Sequence, residues 1–253
     1  MKMIKTINPN ENFPHLDKAP IVEAAIDIRI VPSGTWDEKI IQNELKNKLL
    51  DYPKLEPLRE TRYQFNPPEF NNPKIEDFGC IGLRLEAKNV PHIVQFNKTA
   101  FVFSRLKPYQ DWQKFTQEAY RLFAIYYQLL RPTEIVRIGL RFINRIAVEQ
   151  ERIKFADYYK SPPETLKELN WPLGGHLHHD VIQVPGTNYS VNLIKTVQNI
   201  PGNIALILDI DVFMQDQFEY NEARLKETLN EMRWIKNKIF FSSLTPNAIK
   251  EMK

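Results

Sequence analysis

The feature that most constrains the fold of this chain is an internal repeat with an offset of 114 residues. At this offset YYQLLRPTEI (126–135) lies over FFSSLTPNAI (240–249). The same offset places IVEAAIDIRI (21–30) on IVRIGLRFIN (135–144). One offset that serves both a strand pattern and the end of a helix indicates two copies of one unit. Chance similarity among common apolar patterns is the alternative.

Each copy shows the same order of patterns. Period-two alternation predicts a first strand at 21–31, and helical spacing of apolar residues predicts helices at 36–50, with Thr35 as N-cap, and at 111–130. Further predicted strands are 61–65, 80–88, 92–96, 99–106, 135–148, 176–184, 189–198 and 204–214. Further predicted helices are FADYYK (155–160), PPETLKELN (162–170) and a closing helix at 221–241.

This order predicts an α+β fold made of two pseudo-symmetric β-α-β(3-4)-α repeats, with an antiparallel sheet and helices on one face. It resembles the topology of the TATA-binding-protein and helix-grip folds, a likeness that implies no activity. The predicted organisation is an irregular lead-in at 1–19, a first repeat at 20–131 and a second repeat at 132–253, packed as one globular unit.

Composition excludes several classes of function. The chain has 8 glycines and neither GxxxxGK[ST] nor GxGxxG, which argues against P-loop and dinucleotide sites. One cysteine excludes an internal disulfide framework and a cysteine-rich zinc site. We see no secretory signal pattern and no apolar run of about 18 residues, so we expect a cytoplasmic protein without a membrane partner. A net charge of +3 permits a nucleic-acid partner but does not indicate one.

The first strand of each copy carries charges of opposite sign on its polar face. If the two strands pair antiparallel at the centre of the sheet, a register that sets Ala25 opposite Gly139 would bring these charges together. The pairs expected across the ladder are then Glu23 with Arg141 and Asp27 with Arg137.

Two interpretations compete for Arg137, Arg141 and Arg145, which share one strand face. They form cross-strand ion pairs that hold the halves together, or they form an anion-binding floor for phosphate or carboxylate. Arg84, Glu86 and nearby Lys88 make the surrounding surface mixed in charge, which weakens a nucleic-acid interpretation.

The segment GGHLHHD offers an alternative site. His176, His178 and Asp180 fall on one strand face, with His179 opposite, and two imidazoles and a carboxylate at this spacing can ligate a divalent metal. A polar surface strand after a Gly-Gly turn explains the same residues.

Each of the other candidate site residues also has a simpler structural explanation. Cys80 is a possible nucleophile with His92 as its base on a neighbouring strand, or a small buried residue. Asp209 and Asp211 are possible paired carboxylates, or the exposed side of a strand. The cations of the closing helix, interleaved with acids, are typical of a solvated helix face. They are Arg224, Lys226, Arg233, Lys236 and Lys238.

Three stretches carry a resemblance to a known family. FPHLDKAPIVEAAIDIRI (13–30), RIGLRFINRI (137–146) and LNEMRWIKNKIFFSSLT (229–245) resemble the signature stretches of a sporadically distributed prokaryotic family of unknown function. The likeness spans nearly the whole chain. It implies no activity, cofactor or catalytic residue. The patchy distribution of that family implies an accessory gene, such as a phage-defence or mobile-element component.

The sequence therefore favours a non-catalytic binding or sensing protein without a cofactor. Its partner is expected to be another protein or a small anionic ligand, held on the polar sheet face or in the cleft between the copies, and a homodimer is possible. A metal-assisted hydrolase at His176, His178 and Asp180 is the first alternative. A nucleic-acid-binding protein that uses the polar sheet face is the second.

Overall fold

A computed structural model describes residues 7–8, 11–64, 74–148, 154–164, 171, 175–200 and 203–253. The strands in this part of the chain are β1 Ile21–Val31, β2 Lys54–Gln64, β3 Lys74–Glu86, β4 His92–Asn97, β5 Ala100–Leu106, β6 Glu134–Val148, β7 Leu177–Gln183, β8 Tyr189–Ile200 and β9 Asn203–Met214. The helices are α1 Glu38–Lys48, α2 Trp112–Leu130, α3 Phe155–Tyr158, α4 Glu222–Ser243 and α5 Pro246–Glu251.

The described strands form one antiparallel sheet of nine strands in the order β2-β3-β4-β5-β1-β6-β9-β8-β7. The protein is thus a mixed α+β fold, as the sequence predicts. The prediction that the first strand of each half pairs antiparallel at the sheet centre is also confirmed, because β1 lies directly beside β6. The sheet therefore runs without a break from one half of the chain into the other.

The predicted register of this central pair is wrong. Ala25 lies opposite Arg141 rather than Gly139, and Gly139 lies opposite Asp27. Arg137 lies opposite Arg29, so the expected direct charge pairs do not form across the ladder. The observed register is shifted by two residues, which keeps the apolar residues of both strands on the core face and lets Arg137 reach Asp27 diagonally across Gly139.

The hydrophobic core lies between one face of the sheet and the two long helices. Alternate residues of β1, such as Ile26 and Ile28, are almost completely buried on this face, and so is Phe142 of β6. The ring of Phe115 on α2 packs against Phe142 at 6.2 Å between centroids. α4 approaches the same ring, because the Lys236 ammonium lies 4.2 Å from its centroid. The two helices therefore flank a groove above the centre of the sheet.

Some element boundaries differ from the sequence prediction. β2 begins at Lys54 and includes Pro57, which is tolerated because β2 is an edge strand and the lost N–H costs no ladder bond. α1 begins after Asp37, whose carboxylate accepts the Ile40 N–H at 3.0 Å, and Thr35 is not the cap.

α5 is an additional short helix that the sequence analysis did not predict. Pro246 opens it at the first turn, where a missing N–H is harmless, after Thr245 as N-cap. The predicted helix PPETLKELN lies mostly outside the described residues. Within the described part of the chain, every helix is too short or too polar to cross a membrane.

Candidate functional site

The predicted anion floor lies on the sheet face opposite the long helices, and its first arginine is already bound by carboxylates. Arg137 pairs with Asp27 of β1, and its other terminal nitrogen lies 3.6 Å from Asp211 of β9. The guanidinium also lies over the ring of Phe213 at 5.2 Å. It folds across Gly139, where the Cβ atom of any larger residue would lie only 2.7 Å from its Nη1 atom. Arg137 therefore bridges three adjacent strands.

Arg141 is engaged in the same way. Its Nε atom donates to Asp209 at 2.9 Å and its Nη2 atom donates at 2.5 Å, a bidentate geometry. This hydrogen bonding raises the pKa of Arg141. Within the described residues Arg145 has no ion pair, although its backbone N–H donates to the Pro20 carbonyl at 2.8 Å. An external anion would displace a carboxylate of the protein at two of the three arginines.

A line of polar contacts crosses five adjacent strands of this face. It continues from Arg137 through Asp211 to Asn192, whose amide donates to that carboxylate at 3.2 Å, and then to His179. Burial raises the pKa of Asp211, while Asn192 and Arg137 oppose the shift. Because acids and bases alternate along this line, the face does not present the continuous positive charge that a nucleic-acid partner requires.

The candidate metal residues lie on β7 and just before it, at the other end of the sheet. The His178 Nε2 atom lies 2.8 Å from Asp180, and both side chains are largely exposed. The His176 ring stacks on His178 at 6.3 Å between centroids, and burial lowers the pKa of His176. Among the described residues, no three His, Cys, Asp or Glu side chains are grouped closely enough to hold one metal ion.

Cys80 and His92 are not brought together. The Cys80 thiol is buried and donates to the Gly82 carbonyl at 3.2 Å. His92 instead lies between Tyr52 and Arg105, in a buried network, and burial lowers its pKa to about 4. A thiolate–imidazole pair is therefore absent from these two residues.

A pocket of about 240 Å³, partly open to solvent, lies on the helix side of the sheet between the first residue of α2 and α4. Four segments that are far apart in sequence line it: 13–21, 109–112, 142–144 and 233–241. Three of them fall within the stretches 13–30, 137–146 and 229–245. The pocket is therefore the place where these stretches meet.

The lead-in strap, residues 11–20, forms one wall of the pocket. The Glu11 carboxylate accepts hydrogen bonds from the Trp234 indole at 3.1 Å and from Lys238 at 2.6 Å, which ties the strap to α4. Phe13 stacks on Phe241 with 5.5 Å between ring centroids. The strap is thus fixed to the helix, and what the sequence predicts as an irregular lead-in contributes a wall to the site.

Lys236 is the most unusual residue of the pocket. Its ammonium lies over the Phe142 ring, and no hydrogen bond or ion pair to it occurs among the described residues. The side chain keeps some surface open to the pocket, but protein atoms crowd around its amine. Burial, with a smaller contribution from the nearby Arg233 charge, lowers its pKa to about 7. The amine therefore loses its proton more readily than an ordinary lysine, and a bound anion would favour the protonated form.

Arg233 lies one helical turn before Lys236 and also lacks a carboxylate partner in the described part of the chain. Its guanidinium lies over the Trp112 ring at 5.4 Å. Residues three apart on a helix are neighbours, so the two cations share one face of α4. Asn237 lies beside them on the pocket wall.

The acidic side chain that lines the pocket already has a structural role as a helix cap. Among the described lining residues the one carboxylate is Asp111, which caps α2 by accepting the Lys114 N–H at 2.7 Å. This hydrogen bond lowers the pKa of Asp111. Tyr109 adds a hydroxyl group whose pKa is raised by burial. The pocket therefore carries two cationic groups without a counter-charge of their own.

Sequence analysis assigned these cations to a solvated helix face, and that interpretation is wrong for Lys236. A usable signal was present in the pattern: Arg233, Lys236, Asn237 and Phe240 follow the i, i+3, i+4, i+7 spacing of a single helix face. The predicted apolar stripe of α4, of which Leu229, Met232 and Ile235 are buried, lies directly beside these residues, because Lys236 is four residues after Met232 and seven after Leu229. What the pattern lacks is any sign that another segment covers the polar face.

Comparison with family models, with curated proteins and with solved structures finds no match to this chain. The case for a function therefore depends on the geometry of the pocket.

Proposed function

We propose that this is a non-catalytic binding or sensing protein that holds a small anionic ligand in the pocket between α2 and α4. The observation that carries the proposal is a pair of cations, the exposed Arg233 and the half-buried Lys236, that line one pocket and have no carboxylate partner among the described residues. Burial of the Lys236 amine without a partner is costly, and a bound anion would offset that cost.

The chemistry of the pair suits a carboxylate or a phosphate. A guanidinium offers a planar fork of donors to such a group, while an ammonium acts as a compact charge. Hydrogen bonds between charged partners are about twice as strong as neutral ones. Because Lys236 is half-buried, its attraction for an anion is screened less than at an open surface, whereas the exposed Arg233 is screened more.

The proposed duplication can be related to the position of the pocket. We propose that residues 20–131 and 132–253 are two copies of one unit, with α2 and α4 as their last helices. The strand order supports this: outward from the centre it is β1-β5-β4-β3-β2 on one side and β6-β9-β8-β7 on the other. The ligand would then lie in the cleft between the copies, covered by the lead-in strap.

Thermal unfolding in the presence of anions tests the proposed function. At equal ionic strength, we expect millimolar acetate, benzoate or inorganic phosphate to raise the Tm of the wild-type protein above its value in chloride. Arg233→Gln and Lys236→Met should abolish this rise, since each removes one cation of the pocket.

Lys226→Met is the matched control. It removes a lysine from the same helix whose ammonium pairs with Glu222 at 2.5 Å, outside the pocket. This variant should respond to anions like the wild type. Failure of every anion to raise the Tm, or an equal rise in all four proteins, would contradict the proposal.

A further inference from the structure

The walls of the pocket are unusually rich in aromatic rings. Tyr109 lies edge-on to Phe142 at 5.6 Å, and Phe13 stacks on Phe241. The aromatic lining residues are Phe13, Tyr109, Trp112, Phe142, Phe240 and Phe241. Rings prefer other rings in edge-to-face or offset arrangements, which adds to the gain from burying apolar surface. A flat ring in the ligand would find such partners on several sides.

The two cations lie against this aromatic lining rather than apart from it. The Arg233 guanidinium lies over Trp112 and the Lys236 ammonium over Phe142. Since they are one turn apart on α4, a single carboxylate can be reached by both. The arrangement therefore fits one anionic group attached directly to an apolar, planar body, and not an anion with charges at both ends.

The size of the pocket suits a small apolar body. An engineered cavity of about 150 Å³ accepts benzene, and pockets for drug-sized ligands begin at about 300 Å³. At about 240 Å³ the pocket lies between these limits. One ring with a carboxylate fits this volume, and the pocket is open to solvent where Phe13, Arg233 and Asn237 also line a larger neighbouring pocket.

We propose that the ligand is a monocyclic aromatic carboxylate whose ring lies among the aromatic side chains and whose carboxylate meets Arg233 and Lys236. This inference rests on the proposed function and specifies the ligand of the same pocket. The strap closes over the ring through Phe13, and α4 supplies the charge.

Titration calorimetry with four probes tests the ligand class: benzoate, cyclohexanecarboxylate, benzamide and inorganic phosphate. We expect benzoate to bind roughly three- to tenfold more tightly than cyclohexanecarboxylate, because only its flat ring can pack among the aromatic side chains. Benzamide, which keeps the ring and lacks the charge, should bind more weakly than either carboxylate.

Two outcomes separate this inference from the proposed function. Equal affinity for benzoate and cyclohexanecarboxylate, or preferred binding of phosphate, would overturn the aromatic ligand and leave an anion site. Failure of all three anions to bind would overturn both.

A variant of the strap gives a second measurement. Phe13→Leu removes one ring of the wall and should narrow the preference for benzoate over cyclohexanecarboxylate. Phe155→Leu removes a half-buried ring on α3 outside the pocket and should leave the preference unchanged. An unchanged preference in Phe13→Leu would place the ring elsewhere and overturn the proposed pose.

Discussion

At the scale of single residues, the protonated Lys236 amine destabilises the folded state, because burial disfavours its charge. Its folded-state pKa of about 7 is well below the usual value for lysine, so the unfolded chain binds more protons between these two values. Stability must therefore rise with pH from about 7 upward. Below pH 7 the amine is protonated in both states, and the full cost of burying the charge is present.

Lys236→Met tests this cost. Methionine keeps the length and the packing on Phe142 and removes the charge, so the variant should be more stable than the wild type by about 1 to 2 kcal/mol below pH 7, after allowance for water in the pocket. The difference should shrink as pH rises from 7 towards 10.5. Urea unfolding at several pH values measures it, and a wild type that is more stable than the variant at pH 6 would contradict the argument.

At the scale of elements, β6 shows how glycine and arginine are linked on the open sheet face. The Arg137 guanidinium lies across Gly139, since a side chain at that position would meet it. From there it reaches Asp27 on one neighbouring strand and Asp211 on the other. Substitutions at Arg137 and Gly139 should therefore have non-additive effects on stability.

Gly139→Ala should displace the guanidinium and leave Asp27 with Arg29 alone and Asp211 with Asn192 alone, at a cost of about 1 to 3 kcal/mol. Arg137→Met should cost a similar amount. The double variant should be destabilised little more than Arg137→Met alone, because Gly139→Ala acts by displacing the Arg137 side chain. Gly175→Ala is the control, since a Cβ atom there meets nothing within 4 Å. Additive losses in urea unfolding would show that Gly139 acts independently.

The same two residues show what the sequence could predict at this scale. Alternation predicted β1, β6 and their opposite charges, and all of these occur. The register failed because a long arginine reaches its acid diagonally across a glycine, so charge complementarity did not fix which residues lie opposite. The apolar faces did not fix it either, because a shift of two residues leaves the same side chains on the core face.

At the scale of the whole molecule, the candidate site was beyond sequence reasoning. Its walls come from segments that begin near residue 13 and end near residue 241, and no local pattern reports that they meet. Period-based reading assigns a charged helix face to solvent because that is its usual place. Only the long-range packing of the strap on α4 turns Arg233 and Lys236 into part of a pocket.

The seam between the proposed repeats, where β1 pairs with β6, determines whether either half of the chain can fold alone. The loop after α2, at Arg131–Thr133, joins the halves, while β1 and β6 pair along most of their length in the middle of the sheet. Separating the halves exposes both strands as unpaired edges and opens the core on which Ile26 and Leu140 pack. We therefore expect fragments 1–131 and 132–253 to be insoluble or aggregated when each is produced alone.

Co-production of the two fragments should restore a one-to-one complex, because the pairing of β1 with β6 and the packing over it are regained. Size-exclusion chromatography and circular dichroism measure this recovery, and anions that raise the Tm of the intact chain should also raise that of the complex. A fragment that is monomeric and unfolds cooperatively by itself would show that one repeat is an independent domain. In that case the seam would be a contact between finished units, and the pocket above it would be an interface formed after folding.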